Sequence, residues 1–342
     1  MQVEGTGDQP CAMIELVRIR VDEAGDFNYR DSSRLWVSVV AGVVNNDNRW
    51  AAVEAFAAER RRRWDMRELK AADMNDAQLM DVARFIITED LTVAAIATDS
   101  RIFTADAQRE WRERQVAVFR AAAARSRRAV EDEDVKERVA RLRRRMHQLR
   151  HVSQPNFLQY AVLMPWLLAH LISAALLSYS TLSATDEGWL IDVLMDERPG
   201  ADPGKAGDVL RDSVEAIFAS DDRTVLRMPA EWPTDHAFKI KNRDPEIAVV
   251  SARQVLAAGL NSGRSDADAG LQLADFVAHL VLTLLRDPDN RGAMLAWNAL
   301  VRARRVMPTE DGWPIKAWAW PTDDVADEDG QRYECLLPSR PG

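Results

Sequence analysis

The chain has 342 residues, of which 47% are hydrophobic and 29% are charged, and its formal net charge is -9. This composition is that of a folded protein and excludes fibrous and intrinsically disordered chains. The acidic balance provides no overall attraction for polyanions, so any contact with nucleic acid must come from local basic patches.

Two strands are predicted near the start of the chain, and acidic residues follow the first. Aliphatic residues are interleaved with polar ones over residues 13–21, and the acidic sequence 22–26 then predicts a turn. A second aliphatic run, residues 35–44, predicts an antiparallel partner strand. We therefore expect Asp22 at the end of a strand in the centre of a sheet.

Two helices and a third strand are predicted next. Apolar positions and a basic end favour a helix over residues 49–64, and a second helix is predicted over residues 76–88, with Asn75 or the residue after it as N-cap. Residues 91–98 predict a strand that ends at Asp99. The order is therefore two strands, two helices and a strand.

The middle of the chain is predicted to be helical. Residues 105–150 are rich in Ala, Arg and Glu and lack Gly and Pro, which favours one or two long helices. Residues 157–177 are apolar and nearly long enough to span a bilayer, but polar residues and a proline interrupt them, so we predict a buried helix. We expect a single domain over residues 12–310, with 105–187 as a helical insertion and 311–342 as an irregular tail.

The second half of the chain repeats the pattern of a strand that leads into carboxylates. Residues 189–195 predict a strand that runs into Asp196. Residues 205–220 are expected to form a helix and 224–228 a short strand, and residues 270–285 predict a strongly apolar helix.

The sequence also favours a particular compartment. Its two cysteines, Cys11 and Cys335, are too few for a disulfide framework, and their spacing does not suggest structural zinc. The first residues show no basic leader followed by an apolar run, so we predict no signal peptide. We therefore expect a cytoplasmic protein without stable membrane insertion.

Four carboxylates lie at the ends of predicted strands, beyond a helix or on an apolar helix, where an unpaired charge is costly to bury. They are Asp22, Glu68, Asp196 and Asp275. Hard cations prefer carboxylate oxygens, and a pair of them can activate a water and stabilise the leaving oxygen of a phosphodiester. The pattern therefore predicts a site for one or two Mg²⁺ or Mn²⁺ ions.

The motifs around these carboxylates resemble, in order and spacing, a bacterial family known only as domain of unknown function 3800. They are Asp22-Glu23-Ala24-Gly25-Asp26, Glu68-Leu69-Lys70, Asp196-Glu197 and Gln272-Leu273-Ala274-Asp275. The family resembles the ribonuclease H superfamily. The resemblance covers roughly residues 13–286, and Ala24 departs from the serine that is usual in the family.

This resemblance implies an α/β fold with a mixed five-stranded sheet flanked by helices. It also implies a metal-dependent nuclease that hydrolyses RNA or DNA, in the context of phage defence or a mobile element. The four carboxylates would be its catalytic and metal-binding residues. The alternative is a noncatalytic module that holds nucleic acid or a protein partner on the same fold.

Supporting roles are expected for several neighbours of the four carboxylates. Asp99 is the alternative to Asp196 as third ligand, because it also ends a strand. Lys70 could contact a phosphate or stabilise charge in the transition state. Glu23 would face away from Asp22 if the strand continues.

Two further supporting residues are predicted near Asp275. Gln272 lies one turn earlier on the same face of the helix. Asp268 would share that face if the helix begins early, but the simpler interpretation is a helix N-cap.

Basic residues are the candidates for nucleic-acid binding. Arg61, Arg62 and Arg63 end the first predicted helix, and Arg143, Arg144 and Arg145 lie in the long helical region. Together they could form a stripe along a phosphate backbone. The acidic run 131–134 favours a salt-bridged helix surface instead. A second copy of the chain, packed on 157–177, is another candidate partner.

Overall fold

The computed structural model gives the arrangement of most of the chain. It describes residues 15–27, 36–46, 49–100, 103–126, 133–178, 189–196, 210, 213, 239–240, 249–250, 260–307 and 316–317. Its central strands are β1 (Glu15–Gly25), β2 (Val37–Asn46), β3 (Thr92–Asp99), β4 (Trp189–Asp196), β5 (Leu260–Gly263) and β6 (Lys316–Ala317).

These strands form one mixed sheet in the order β5-β4-β1-β2-β3-β6. β1, β2 and β3 pair antiparallel, whereas β4 is parallel to β1 and β5 is parallel to β4. The edge strand β6 has two residues, so five longer strands make up the body of the sheet. A separate two-stranded ribbon pairs Lys239–Ile240 with Val249–Val250. The predicted α/β class with a mixed sheet of five main strands is confirmed.

Helices cover both faces of the sheet. They are α1 (Trp50–Trp64), α2 (Asp76–Thr88), α3 (Ala105–Ser126), α4 (Glu133–His151), α5 (Met164–Ser178), α6 (Ala269–Arg286) and α7 (Arg291–Arg302). Helices α1, α2, α6 and α7 pack on one face, which we call the α6 face. Helices α3, α4 and α5 pack on the other, which we call the α5 face.

The described helices between residues 105 and 178 form one full layer of the fold. Their apolar side chains cover the α5 face of the sheet, where they pack against Val17, Ile19 and Val21 of β1. The π-helical segment Phe157–Leu163, entirely buried, leads directly into α5. The stretch predicted as a buried helix therefore lies in the core.

One helix in the described part of the chain, α6, is long and apolar enough to cross a membrane. In the fold, however, 72% of it is buried, as in the core helix of a globular protein. Length and composition alone therefore give weak support for a membrane span.

The first strand is longer than the sequence predicted. The acidic sequence 22–26 was expected to form a turn, but β1 stays paired with β2 as far as Gly25, which lies opposite Ser38. Gly25 has a φ of 96°, and a Cβ atom there would lie 2.1 Å from the carbonyl oxygen of Val37. Glycine therefore allows the strand to end close to its neighbour.

Other local predictions are confirmed at nearly their expected bounds. Helices α1 and α2 and strands β3 and β4 lie where the sequence placed them, and Asn75 caps α2 through a capping box with Gln78. The predicted strand 224–228 lies outside the described residues, as does the predicted helix 205–220 apart from positions 210 and 213, which are helical. Of the tail 311–342, the structure describes only β6.

Candidate functional site

Two of the predicted carboxylates lie side by side in the sheet. Val21 of β1 pairs with Met195 of the parallel strand β4, so Asp22 and Asp196 follow at neighbouring positions. Adjacent strands are about 4.8 Å apart. Because Val21 and Met195 both face α5, the alternation of side chains directs the two aspartates to the α6 face.

Helix α6 brings Asp275 over this face, because it packs across β1 and β2. The Asp275 side chain is 18% exposed, and its Oδ1 lies 3.2 Å from Nδ1 of His279, one turn later. Its Oδ2 is buried and has no hydrogen-bond partner among the described residues. An acceptor left in that state is costly, which favours a ligand at this oxygen.

The protonation of Asp22 reflects the crowding of these carboxylates. Asp22 is 5% exposed, and burial raises its pKa well above the usual value. The negative charges of Glu23, Asp275 and Asp196 raise the pKa further. A hydrogen bond from the backbone N–H of Glu23, 2.7 Å long, opposes this only in part. The carboxylates of three separate elements therefore interact electrostatically at one point.

A chain of hydrogen bonds links this point to the loop that carries Glu68. The backbone N–H of Ser265 donates to Oδ1 of Asp196 at 2.9 Å. The side chain of Gln272 donates to the Ser265 carbonyl at 2.7 Å and accepts from the N–H of Leu69 at 3.1 Å. Gln272, expected to support the site, thus fixes two loops beside it.

Glu68 and Lys70 form an ion pair at the margin of the site. Lys70 Nζ lies 3.3 Å from Oε2 of Glu68. The hydrogen bond and charge of Glu68 raise the pKa of Lys70, and the charges of Asp275 and Asp73 add to this effect. Asp275 therefore acts electrostatically on Lys70, which contacts Glu68.

Asp268 has the structural role that the sequence favoured. Its side chain caps α6 by accepting from the N–H of Leu271 at 2.9 Å. It also pairs with the buried Arg20, whose Nε lies 3.0 Å from Asp268 and whose Nη1 lies 2.9 Å from Asp192. This network ties β1, β4 and the start of α6 together below the carboxylates.

Asp99 lies away from the other carboxylates. Asp22 pairs with Ala41, which pairs on its other side with Ala95. Asp99 is four residues further along β3, an offset of about 13 Å along the strand. Of the two alternatives, Asp196 is the one next to Asp22. Glu23, which follows Asp22 in the strand, points to the opposite face.

The predicted arginine stripe is divided between the two sides of the sheet. Helix α1, which carries Arg61, Arg62 and Arg63, packs on the α6 face. Helix α4 packs on the α5 face through Leu149, so its arginines lie on the other side. Arg143 and Arg144 are exposed, but Arg145 is buried at 5% exposure and does not form part of an open basic surface.

Sequence reasoning missed several residues that bind or support the elements of the candidate site. His279 lies four residues after Asp275 on the same helix, a spacing that could have revealed it. Arg20 lies two residues before Asp22 and so shares its face of the strand. Ser265 and Asp192 gave no local signal, because their contacts form only in the folded chain.

The donor chemistry of the site suits a hard divalent cation, since the carboxylates are oxygen donors and one Asp275 oxygen is unsatisfied. In the described part of the chain, however, no three His, Cys, Asp or Glu side chains are grouped as ligands of one ion. Metal binding would therefore require side-chain adjustment around Asp22 and Asp275.

Comparisons with known proteins give no relative for this chain. No family model matches it, and no curated protein or solved structure is significantly similar.

Proposed function

We propose that the chain is a metal-dependent nuclease that hydrolyses phosphodiester bonds of RNA or DNA. The observation that carries this proposal is the adjacency of Asp22 and Asp196 on two parallel strands, with Asp275 close enough to raise the pKa of Asp22. The mixed sheet and the order of the acidic motifs support a ribonuclease H-like fold related to the family of unknown function 3800.

The residues that would hold Mg²⁺ or Mn²⁺ are Asp22, Asp196 and Asp275, with Glu68 as a fourth donor. A bound ion of this kind supplies a water activated for attack and stabilises the leaving oxygen. Gln272 fixes the loops beside the donors through its two hydrogen bonds. Lys70, which is 57% exposed, can turn from Glu68 towards a substrate phosphate.

Calorimetric titration with Mn²⁺ tests the donor set directly. We expect saturable binding to the wild-type chain and loss of at least about tenfold in affinity in Asp22→Asn and in Asp275→Asn. Asp99→Asn is the matched control, because it replaces another buried aspartate at a strand end, away from the site. We expect its affinity to equal that of the wild type.

A cleavage assay on labelled single-stranded RNA and DNA with Mn²⁺ then tests the activity. We expect the Asp22→Asn and Asp275→Asn rates to fall at least about a hundredfold, because these oxygens would hold the ion at the reacting phosphate. Equal rates in these variants and in Asp99→Asn would refute the site.

One observation favours the noncatalytic module as a second candidate. Glu68 already pairs with Lys70, and Asp275 contacts His279, so the chain supplies part of the compensating charge itself. Nucleic-acid binding without saturable Mn²⁺ binding or turnover would support this second candidate instead.

A further inference from the structure

A cluster of three arginines surrounds one aspartate beside the carboxylates. Arg67 Nη2 lies 3.1 Å from Oδ2 of Asp266, and Arg264 makes an ion pair with the same oxygen. Arg61 donates to the Asp266 carbonyl at 3.4 Å. We call Arg61, Arg67 and Arg264 the arginine cluster; they come from the end of α1, the loop after it and the loop before α6.

The arginine cluster is attached to the same loops as the candidate site. Arg67 directly precedes Glu68, and Arg264 directly precedes Ser265, whose N–H binds Asp196. The loop before α6 and the loop after α1 are joined by Gln272. The cluster therefore lies on loops that are hydrogen-bonded beside the carboxylates, at the rim of the candidate site.

The chemistry of the cluster fits a phosphate. Two guanidinium groups, those of Arg67 and Arg264, contact the carboxylate of Asp266, and Arg61 binds the backbone carbonyl of the same residue. The cluster therefore holds three positive charges against the one negative charge of Asp266, in a chain whose net charge is -9. The side chains of Arg67 and Arg264 are 79% and 67% exposed, so an external anion can reach them. Guanidinium groups bind phosphate oxygens through paired hydrogen bonds. One carboxylate shared by two arginines cannot accept hydrogen bonds from all of their N–H groups, so donors remain for a phosphate.

Other arginines of the same region have different surroundings. Arg60, next in sequence to Arg61, pairs with Asp81 and Glu59 and stacks on Phe56. Its side chain is 16% exposed and links α1 to Asp81 of α2. Arg60 therefore adds no uncompensated positive charge beside the arginine cluster.

We propose that the arginine cluster binds a backbone phosphate of the nucleic-acid strand next to the bond at the carboxylates. In the free protein the carboxylate of Asp266 contacts the guanidinium groups of Arg67 and Arg264. The hydrogen bonds and charges of Arg264 and Arg67 lower the pKa of Asp266, so Asp266 stays ionised. The incoming phosphate displaces this carboxylate. The position of the nucleic-acid strand at this rim rests on the proposed function, because the proposed function makes the carboxylates the reacting centre.

Fluorescence anisotropy with labelled single-stranded RNA and DNA tests the assignment. The full chain is used in EDTA, so that binding is measured without cleavage. We expect Arg67→Gln and Arg264→Gln each to weaken binding about fivefold and to reduce the slope of log affinity against log salt by about 0.7. Asp266→Asn should tighten binding about threefold, because it removes the competing anion.

Arg109→Gln provides the matched control, since Arg109 is 68% exposed, pairs with one carboxylate, that of Asp106, and lies on α3 on the other side of the sheet. We expect its affinity and salt slope to equal those of the wild type. The proposal is overturned if the two cluster variants behave like this control, if the wild type binds neither oligonucleotide, or if Asp266→Asn weakens binding. Circular dichroism checks that each variant is folded.

The two proposals fail in different ways. Arginine-dependent oligonucleotide binding without saturable Mn²⁺ binding would overturn the nuclease and leave the phosphate site intact. Saturable Mn²⁺ binding without arginine dependence would overturn the phosphate site alone.

Discussion

The two faces of β1 are both buried, but one face is apolar and the other carries charged side chains. On the α5 face, Val17, Ile19 and Val21 are fully buried among apolar side chains. On the α6 face, Arg20 and Asp22 are nearly as well buried but are charged. The α5 face contributes stability through apolar burial, whereas each charge on the α6 face needs a compensating partner.

The two charges on the α6 face differ in how they are compensated. Arg20 contacts Asp192 and Asp268 and lies 4.9 Å from the ring centroid of Trp50. The charged groups that act most strongly on the pKa of Asp22 are the carboxylates of Glu23, Asp275 and Asp196, and each of them raises it. The difference indicates that Arg20 belongs to the framework of the fold, while Asp22 is suited to receive a cation from outside.

The largest effect is expected from Arg20→Met, which leaves Asp192 and Asp268 without their shared cation. Removing one partner from a buried ion pair costs about 3–5 kcal/mol. Urea denaturation should therefore show a fall of that size in the free energy of unfolding. Arg144→Met, on the exposed surface of α4, should change it by less than about 0.5 kcal/mol. Equal effects in the two variants would show that Arg20 is not a framework residue.

The next effect concerns Asp22 and its dependence on pH. Its pKa is raised in the folded state, so the fold binds its proton more tightly than the unfolded chain does. The contribution of protonated Asp22 to the free energy of unfolding is therefore complete below about pH 4, and it is lost as the pH rises through the pKa of Asp22 in the folded state. Above the pKa of the unfolded chain, the raised pKa of Asp22 therefore destabilises the fold. Asp22→Asn should remove this part of the pH dependence and raise the free energy of unfolding at neutral pH.

A bound cation should reverse that destabilisation. Mn²⁺ at about a hundred times its dissociation constant should raise the free energy of unfolding by about 2.7 kcal/mol. Thermal and urea unfolding of the wild type and of Asp22→Asn, with Mn²⁺ or with EDTA, measure both effects. If Mn²⁺ raises the free energy of unfolding of Asp22→Asn as much as that of the wild type, the metal binds at other residues.

The elements that sequence predicted well are those with a strong local pattern. Helices α1 and α2 follow from apolar spacing and a capping box, and β3 from an uninterrupted apolar run. Strand β5 was not predicted, because it has four residues with exposed positions in its middle and owes its conformation to pairing with β4. The turn expected after Val21 is a strand for the same reason, since β2 continues to supply partners.

Some residues of the candidate site could be found from local sequence patterns, whereas others could not. Asp22, Asp196 and Asp275 could be selected from sequence, because each is an acidic residue that follows a predicted strand or lies on an apolar helix. The network of Arg20 could not, because its bond to Asp268 joins residues 248 positions apart. Such contacts depend on the parallel pairing of β1 with β4 and on the packing of α6, which local patterns do not encode.

The smallest effect, that of Ile19→Val, separates the two faces most cleanly. Ile19 is fully buried on the α5 face and lies between Arg20 and Arg18 in sequence. Loss of one methylene from such a position costs about 0.5–1.5 kcal/mol, which urea denaturation can resolve. Mn²⁺ affinity should not change, because the side chain points away from Asp22 and the substitution leaves the strand pairing intact. A change in Mn²⁺ affinity larger than about twofold would mean that packing on the α5 face is transmitted through β1 to the carboxylates, and the two faces would then act as one unit.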